Sequence, residues 1–116
     1  MIRFAALLAL MIAALAGSAN AHPMLERAVP GAGAVLAVAP GEVRLSFSEP
    51  LEPAFSDLAL TDRLGHSFAA SAPHVDTQSM ILKLKPLPPG KYHVGWHAVS
   101  IDTHRTEGGY DFVVKP

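Results

Sequence analysis

Cysteine is absent from all 116 residues. No disulfide can brace the chain, so a fold of this size must be stabilised by burial alone. The same absence removes thiolate from any metal site and leaves imidazole, carboxylate, thioether and terminal amine as ligands. Beyond the first twenty or so residues there is no apolar run near the ~20 residues that a membrane-crossing helix needs. Cations are few: nine Lys and Arg stand against ten Asp and Glu, and no basic stripe forms, which argues against a nucleic-acid partner. Neither a Ser/His/Asp arrangement nor a pair of acids placed for hydrolysis is present. Helices of ordinary length are missing too, because ten prolines are spread along the chain and would break most helical windows.

What is present begins with a leader. Met1 to Arg3 supplies one positive charge, "FAALLALMIAALAG" is an apolar core, and Ala19-Asn20-Ala21 has small residues at both positions of an A-x-A cleavage site. Residues 1–21 are therefore expected to be a secretory signal peptide, with cleavage after Ala21 and His22 as the new first residue. An uncleaved anchor, or a cut nearer Ala16 or Ala19, are the alternatives. Cleavage removes Arg3, so eight Lys and Arg face ten Asp and Glu and the formal charge falls from −1 to −2. Residues 22–116 amount to one small domain.

That domain alternates. "EVRLSFS" places Val43, Leu45 and Phe47 on one face; "SMILKLK" does the same for Met80, Leu82 and Leu84. "KYHVGWHAVS" aligns Tyr92, Val94, Trp96 and Ala98, and "GYDFVV" aligns Tyr110, Phe112 and Val114. Period two at short spacing, broken by Pro30-Gly31, Pro40-Gly41 and Pro89-Gly90, predicts seven or more short antiparallel strands. The expected fold is all-β, an immunoglobulin-like Greek-key sandwich or barrel. Arg63-Leu64-Gly65 is expected to close a hairpin.

Three features can carry chemistry. His22, once N-terminal, offers an α-amine and an imidazole whose protons a metal can displace near neutral pH. Both nitrogens belong to one residue and close a small chelate ring on one ion. Pro23 has no amide hydrogen, so the next backbone nitrogen cannot become a ligand and the remaining coordination places stay open. In Asp102-Thr103-His104, an extended backbone would put the two side chains on one face, within reach of a shared ion. Glu49 follows a strand and precedes Pro50, where it suits a weaker ligand or an acceptor that orients an imidazole. Taken singly, each has a plainer reading: a frayed terminus, a common Asp-x-His string, a solvated turn carboxylate. His93 and His97 share the face opposite Trp96 but lie about 13 Å apart along a strand. They read mainly as surface residues. His66 and His74 have no assignable partner.

These residues carry a family likeness. "HPMLERAVPGAG", "VRLSFSEPLEPAFSDLALTD", "LPPGKYHVGWHAVSIDTH" and "GGYDFVV" together resemble the CopC family of periplasmic copper-binding proteins. The resemblance implies a small β-sandwich holding one Cu(II) ion at its N-terminus. His22 would supply amine and imidazole, with Asp102 and His104 of the "DTH" motif completing the site. Glu49 matches the glutamate of the "FSE" motif, an additional ligand proposed in some members. N and O donors in tetragonal geometry suit Cu(II). The region "TDRLGHSFAAS", Met-rich in some members, holds His66 and no methionine, so a thioether Cu(I) site is not expected. Arginine after the strand tryptophan and proline after the motif histidine are replaced by His97 and Arg105.

The expected function is that of a periplasmic Cu(II) carrier or buffer in copper resistance, not an enzyme, with a CopD-type inner-membrane protein as partner and no stable membrane insertion of its own. A copper oxygenase that uses an N-terminal histidine chelate, or a metal-free structural or adhesive sandwich, are the competing readings. The first lacks a broad aromatic surface, since the chain has one Trp and two Tyr.

Overall fold

The computed structural model describes residues 22–116. The leader and its cleavage position lie outside them. Eight strands follow in order: β1 (Leu25–Val29), β2 (Val35–Leu36), β3 (Glu42–Phe47), β4 (Asp57–Thr61), β5 (His74–Asp76), β6 (Ser79–Lys83), β7 (Gly90–Val99) and β8 (Arg105–Val114). A 3-10 turn at Pro53–Phe55 precedes β4. The strands form two four-stranded sheets, ordered β1-β3-β6-β5 and β2-β8-β7-β4. The all-β sandwich expected from alternation is what forms. One pairing departs from the antiparallel expectation: β2 runs parallel to β8, with Val35 opposite Val113 and Leu36 opposite Val114. Two residues are too short to give a pattern, so that pairing was not legible.

The alternating residues build the core. Val43, Leu45 and Phe47 from one sheet meet Leu58, Leu60, Val94, Ala98 and Phe112 from the other, all buried. Each large side chain so buried contributes roughly 1.5–3 kcal/mol relative to exposure. Trp96 is half-buried and packs edge-on against Phe47, with ring centroids 5.1 Å apart. Tyr110 donates to the Pro30 carbonyl at 2.7 Å, and burial pushes its phenol up to about 12, so it remains a protonated donor. The Asp62–Gly65 turn is closed by a Gly65 N–H to Asp62 carbonyl bond of 3.2 Å, with Thr61 bridged to Ser67, as the Arg63-Leu64-Gly65 string implied.

Gly108 lies across from Trp96 in the β7–β8 ladder. A Cβ there would stand 2.7 Å from the indole Cζ2. Gly108→Ala is expected to cost about 1–3 kcal/mol and to shift the Trp96 fluorescence, because the ring must move off Phe47. Urea unfolding followed by that fluorescence measures both.

Candidate metal centre

The segments that leave the core at one end of the sandwich place the predicted residues. β3 ends at Phe47, and Ser48 then ties down the chain start. Its Oγ accepts from the Met24 N–H at 2.8 Å, and its own N–H donates to the Met24 carbonyl at 2.8 Å. Pro23 is among the fully buried side chains. His22 thus lies next to a buried proline and two residues before the anchored Met24, so little backbone ordering is left for a ligand to impose there.

The second segment joins β7 to β8. Ser100 is buried and closes this turn three ways. Its N–H donates to the His104 carbonyl at 2.8 Å, its carbonyl accepts from the Thr103 N–H at 2.8 Å, and its Oγ accepts from the His104 N–H at 3.2 Å. Thr103 is held in the left-handed region at φ 70°. A β-branched residue there costs on the order of 1–3 kcal/mol, which the Ser100 bonds and the flanking strands sustain. The backbone at Asp102 is therefore a turn, not a strand. The extended spacing expected to put Asp102 and His104 on one face does not occur, because the positive φ at Thr103 reverses the alternation.

The third segment, residues 48–52, is pinned to both others. Leu51 bridges to Ser100, the Ile101 N–H donates to the Pro50 carbonyl at 3.2 Å, and the Glu52 N–H donates to the Val99 carbonyl at 2.7 Å. Glu49 sits on this segment, half-buried.

The outcome is a histidine pair. The rings of His22 and His104 lie 5.3 Å apart between centroids, at 78°. The Nδ1 atom of His104 is buried and has no hydrogen-bond partner. A buried polar atom left unpaired costs about 1–3 kcal/mol, so this nitrogen calls for a partner the protein itself does not supply. Two neighbouring imidazoles suit a divalent metal of the copper or zinc type. Asp102 is exposed on its turn and Glu49 stands on the neighbouring segment. Among the described residues, no three His, Asp or Glu side chains gather closely enough to enclose an ion. The fold brings the His22 and His104 rings together, with Asp102 on the turn next to His104 and Glu49 on the adjoining segment.

The other histidines lie apart. His66 Nδ1 meets Asp62 Oδ2 at 3.1 Å, a partner not evident in the sequence. His93 is exposed, as expected, and its Nδ1 meets Asp111 Oδ1 at 2.7 Å. That bond is the main cause that holds the Asp111 carboxyl below its ordinary value, with Lys91 at 3.5 Å assisting against desolvation. A depressed carboxyl stabilises the fold above its unfolded pKa and loses that contribution as pH falls through the lower folded value. Acid unfolding of Asp111→Asn is therefore expected to lose this part of its pH dependence below the ordinary Asp range. Urea midpoints compared at neutral pH and in the acid range check it.

With that geometry in place, the family can be read directly. The family model described as the CopC domain matches residues 25–115. The chain belongs to the CopC family. Copper resistance protein C of Escherichia coli is 43% identical over 115 residues, covering 90% of each chain. The crystal structure of PcoC, described as a methionine-rich copper resistance protein from Escherichia coli, aligns with a TM-score of 0.70 at 43% identity, covering 82% of this chain and all of that one. Copper transport protein CutJ of Bacillus subtilis is 29% identical over 112 residues, which span 93% of this chain but 21% of CutJ. Unlike a methionine-rich relative, this CopC-family chain places Met80 fully in the core and Met24 on the surface.

Sequence reasoning missed Ser48, Ser100 and the burial of Pro23. Two serines that act through backbone bonds leave no periodic trace. A proline next to a terminus reads as exposed unless its packing is seen.

Proposed function

We propose that this CopC-family protein is a periplasmic copper carrier or buffer that serves copper resistance by holding one Cu(II) ion. The observation that carries the reading is the His22–His104 pair with its unpartnered, buried Nδ1. The leader delivers the chain across the inner membrane and is cut after Ala21, which frees the His22 amine to join its imidazole. Two imidazoles and an amine form a donor set that copper favours over other divalent metals of the first row. Asp102 and Glu49, on the two flanking segments, supply oxygen donors once their side chains turn toward the pair. Pro23 blocks the backbone-amide mode, which keeps coordination places open for those distant residues. Copper here is cargo, and no step of catalysis is assigned. A CopD-type inner-membrane protein receives or supplies it.

The test is a Cu(II) titration of the exported protein against a competing chelator. Saturation at one equivalent is expected. Absence of saturable binding would reject the reading.

A further inference from the structure

The basic residues divide between separate places. All four lysines, Lys83, Lys85, Lys91 and Lys115, stand with Arg63 at the end remote from the histidine pair, as the strand directions place them. Arg27 and Arg44 stand instead on the outer face of the β1-β3-β6-β5 sheet. Val43, Leu45 and Phe47 take the core side of β3, which turns Glu42, Arg44 and Ser46 outward. On β1, Arg27 lies opposite Ser46 and Val29 opposite Arg44. The two arginines are thus diagonal neighbours on adjacent strands, about 7–8 Å apart at the backbone.

An open cavity of about 350 Å³ lies there, lined by Arg27, Val29, Glu42, Arg44 and Ser46. Its polar groups have bonding capacity left unspent. Among the described residues neither Arg27 nor Arg44 forms an ion pair, whereas Arg105 pairs with Glu107. Like charges this close on neighbouring strands repel. Glu42 is placed to separate them, two residues from Arg44 on the same face and roughly 7 Å along β3. Its Oε1 faces Lys83 instead, at a loose 3.7 Å, and its Oε2 is buried with no hydrogen-bond partner. An acceptor left in that state is costly unless something supplies it a proton donor. Ser46 Oγ lies 3.1 Å from Ser79 Oγ, a bond that uses one of the two hydroxyl protons and leaves the other for a ligand.

We propose that this cavity is a binding site for a free α-amino acid with an aliphatic side chain. The carboxylate of the ligand seats between the guanidiniums of Arg27 and Arg44, whose planar forks match its two oxygens and whose mutual repulsion it relieves. The ammonium group bonds to Glu42, whose carboxylate rotates to present its unspent oxygen to the cavity. Val29, 47% exposed, forms an apolar wall for the ligand side chain. A simple oxyanion would satisfy the arginines but leave Glu42 unmet and repelled. A simple amine would do the reverse. Only a ligand that carries both charges a short distance apart meets every lining group. The inference stands apart from the copper reading, since none of the five lining residues belongs to the histidine pair.

The probe is valine, set beside isovalerate, which lacks its amine, and isobutylamine, which lacks its carboxylate. Amide resonances of the exported protein are followed by NMR during each titration, without copper because amino acids chelate Cu(II) themselves. Valine is expected to give saturable shifts centred on residues 27–29 and 42–46. Isovalerate and isobutylamine should each bind at least about tenfold more weakly, for want of one charged contact. Arg27→Gln and Arg44→Gln should each lose at least about tenfold in valine affinity. Glu42→Gln should lose valine affinity as well, yet bind isovalerate at least as tightly as the parent, because the repelling carboxylate is gone. Arg105→Gln, which removes an equal charge elsewhere, should leave valine binding unchanged. Melting temperatures of the variants should match the parent, since every altered side chain is outside the core. Absence of saturable shifts with valine, equal affinity for valine and isovalerate, or an equal loss in Arg105→Gln overturns the site. The comparison of the three ligands on the parent protein decides the matter even where a variant proves unstable.

Discussion

One alanine added ahead of His22 is expected to lower Cu(II) affinity by more than about a hundredfold, close to 3 kcal/mol, while leaving the apo melting temperature unchanged. The extension converts the amine of His22 into an amide and dissolves the chelate ring, yet every side chain stays in place. The new terminus carries an amine, but the imidazole of the next residue lies further along the chain. Pro23 sits outside the change and remains buried. The Ser48 clamp acts on Met24, two residues further on, so the fold has no reason to respond. A competition titration beside a melting curve reads both quantities. Equal affinity for the extended and parent proteins removes the amine from the site.

His104→Ala has the other large effect, and its two consequences point in opposite directions. Cu(II) affinity falls by more than about a hundredfold, and the paramagnetic resonance spectrum loses the signature of one imidazole nitrogen. The apo protein holds its stability or gains slightly. Substitution removes the buried Nδ1 that has no partner, together with its desolvation cost. The backbone bonds between residues 100 and 104 do not depend on the imidazole and persist. Lost affinity without lost stability is the expected mark of a residue retained for function rather than for packing. An unaltered resonance spectrum in this variant excludes His104 from the copper sphere.

The core was legible because its rule is simple. Val43, Leu45 and Phe47, or Tyr92, Val94 and Ala98, alternate in the sequence and are the residues found buried. The sandwich follows from that period and from the prolines that exclude helices. The site was legible in part. His22 and His104 were both named from residue chemistry and resemblance, and the fold sets their rings 5.3 Å apart. What failed was the route by which "DTH" was thought to work. The i, i+2 argument needs an extended backbone, and nothing in "SIDTHR" announces that Thr103 takes a positive φ. That conformation is imposed by Ser100, whose three bonds exist only once β7 and β8 are paired. Likewise, the His66–Asp62 contact depends on a turn whose shape the Arg63-Leu64-Gly65 string implies only in outline.

The distribution of charge was hidden for a related reason. Lys83, Lys85, Lys91 and Lys115 are scattered over more than thirty positions in sequence. They share one end only because β6 runs away from the histidines, β7 starts at the far end and β8 finishes there. Topology, not composition, converts a formal charge near zero into a polar molecule.

Native mass spectrometry of the exported protein, alone and with one equivalent of Cu(II), bears most directly on all of this. The account requires a chain that begins at His22 and gains the mass of a single copper ion. A chain that begins elsewhere, or one that stays metal-free beside stoichiometric Cu(II), contradicts it.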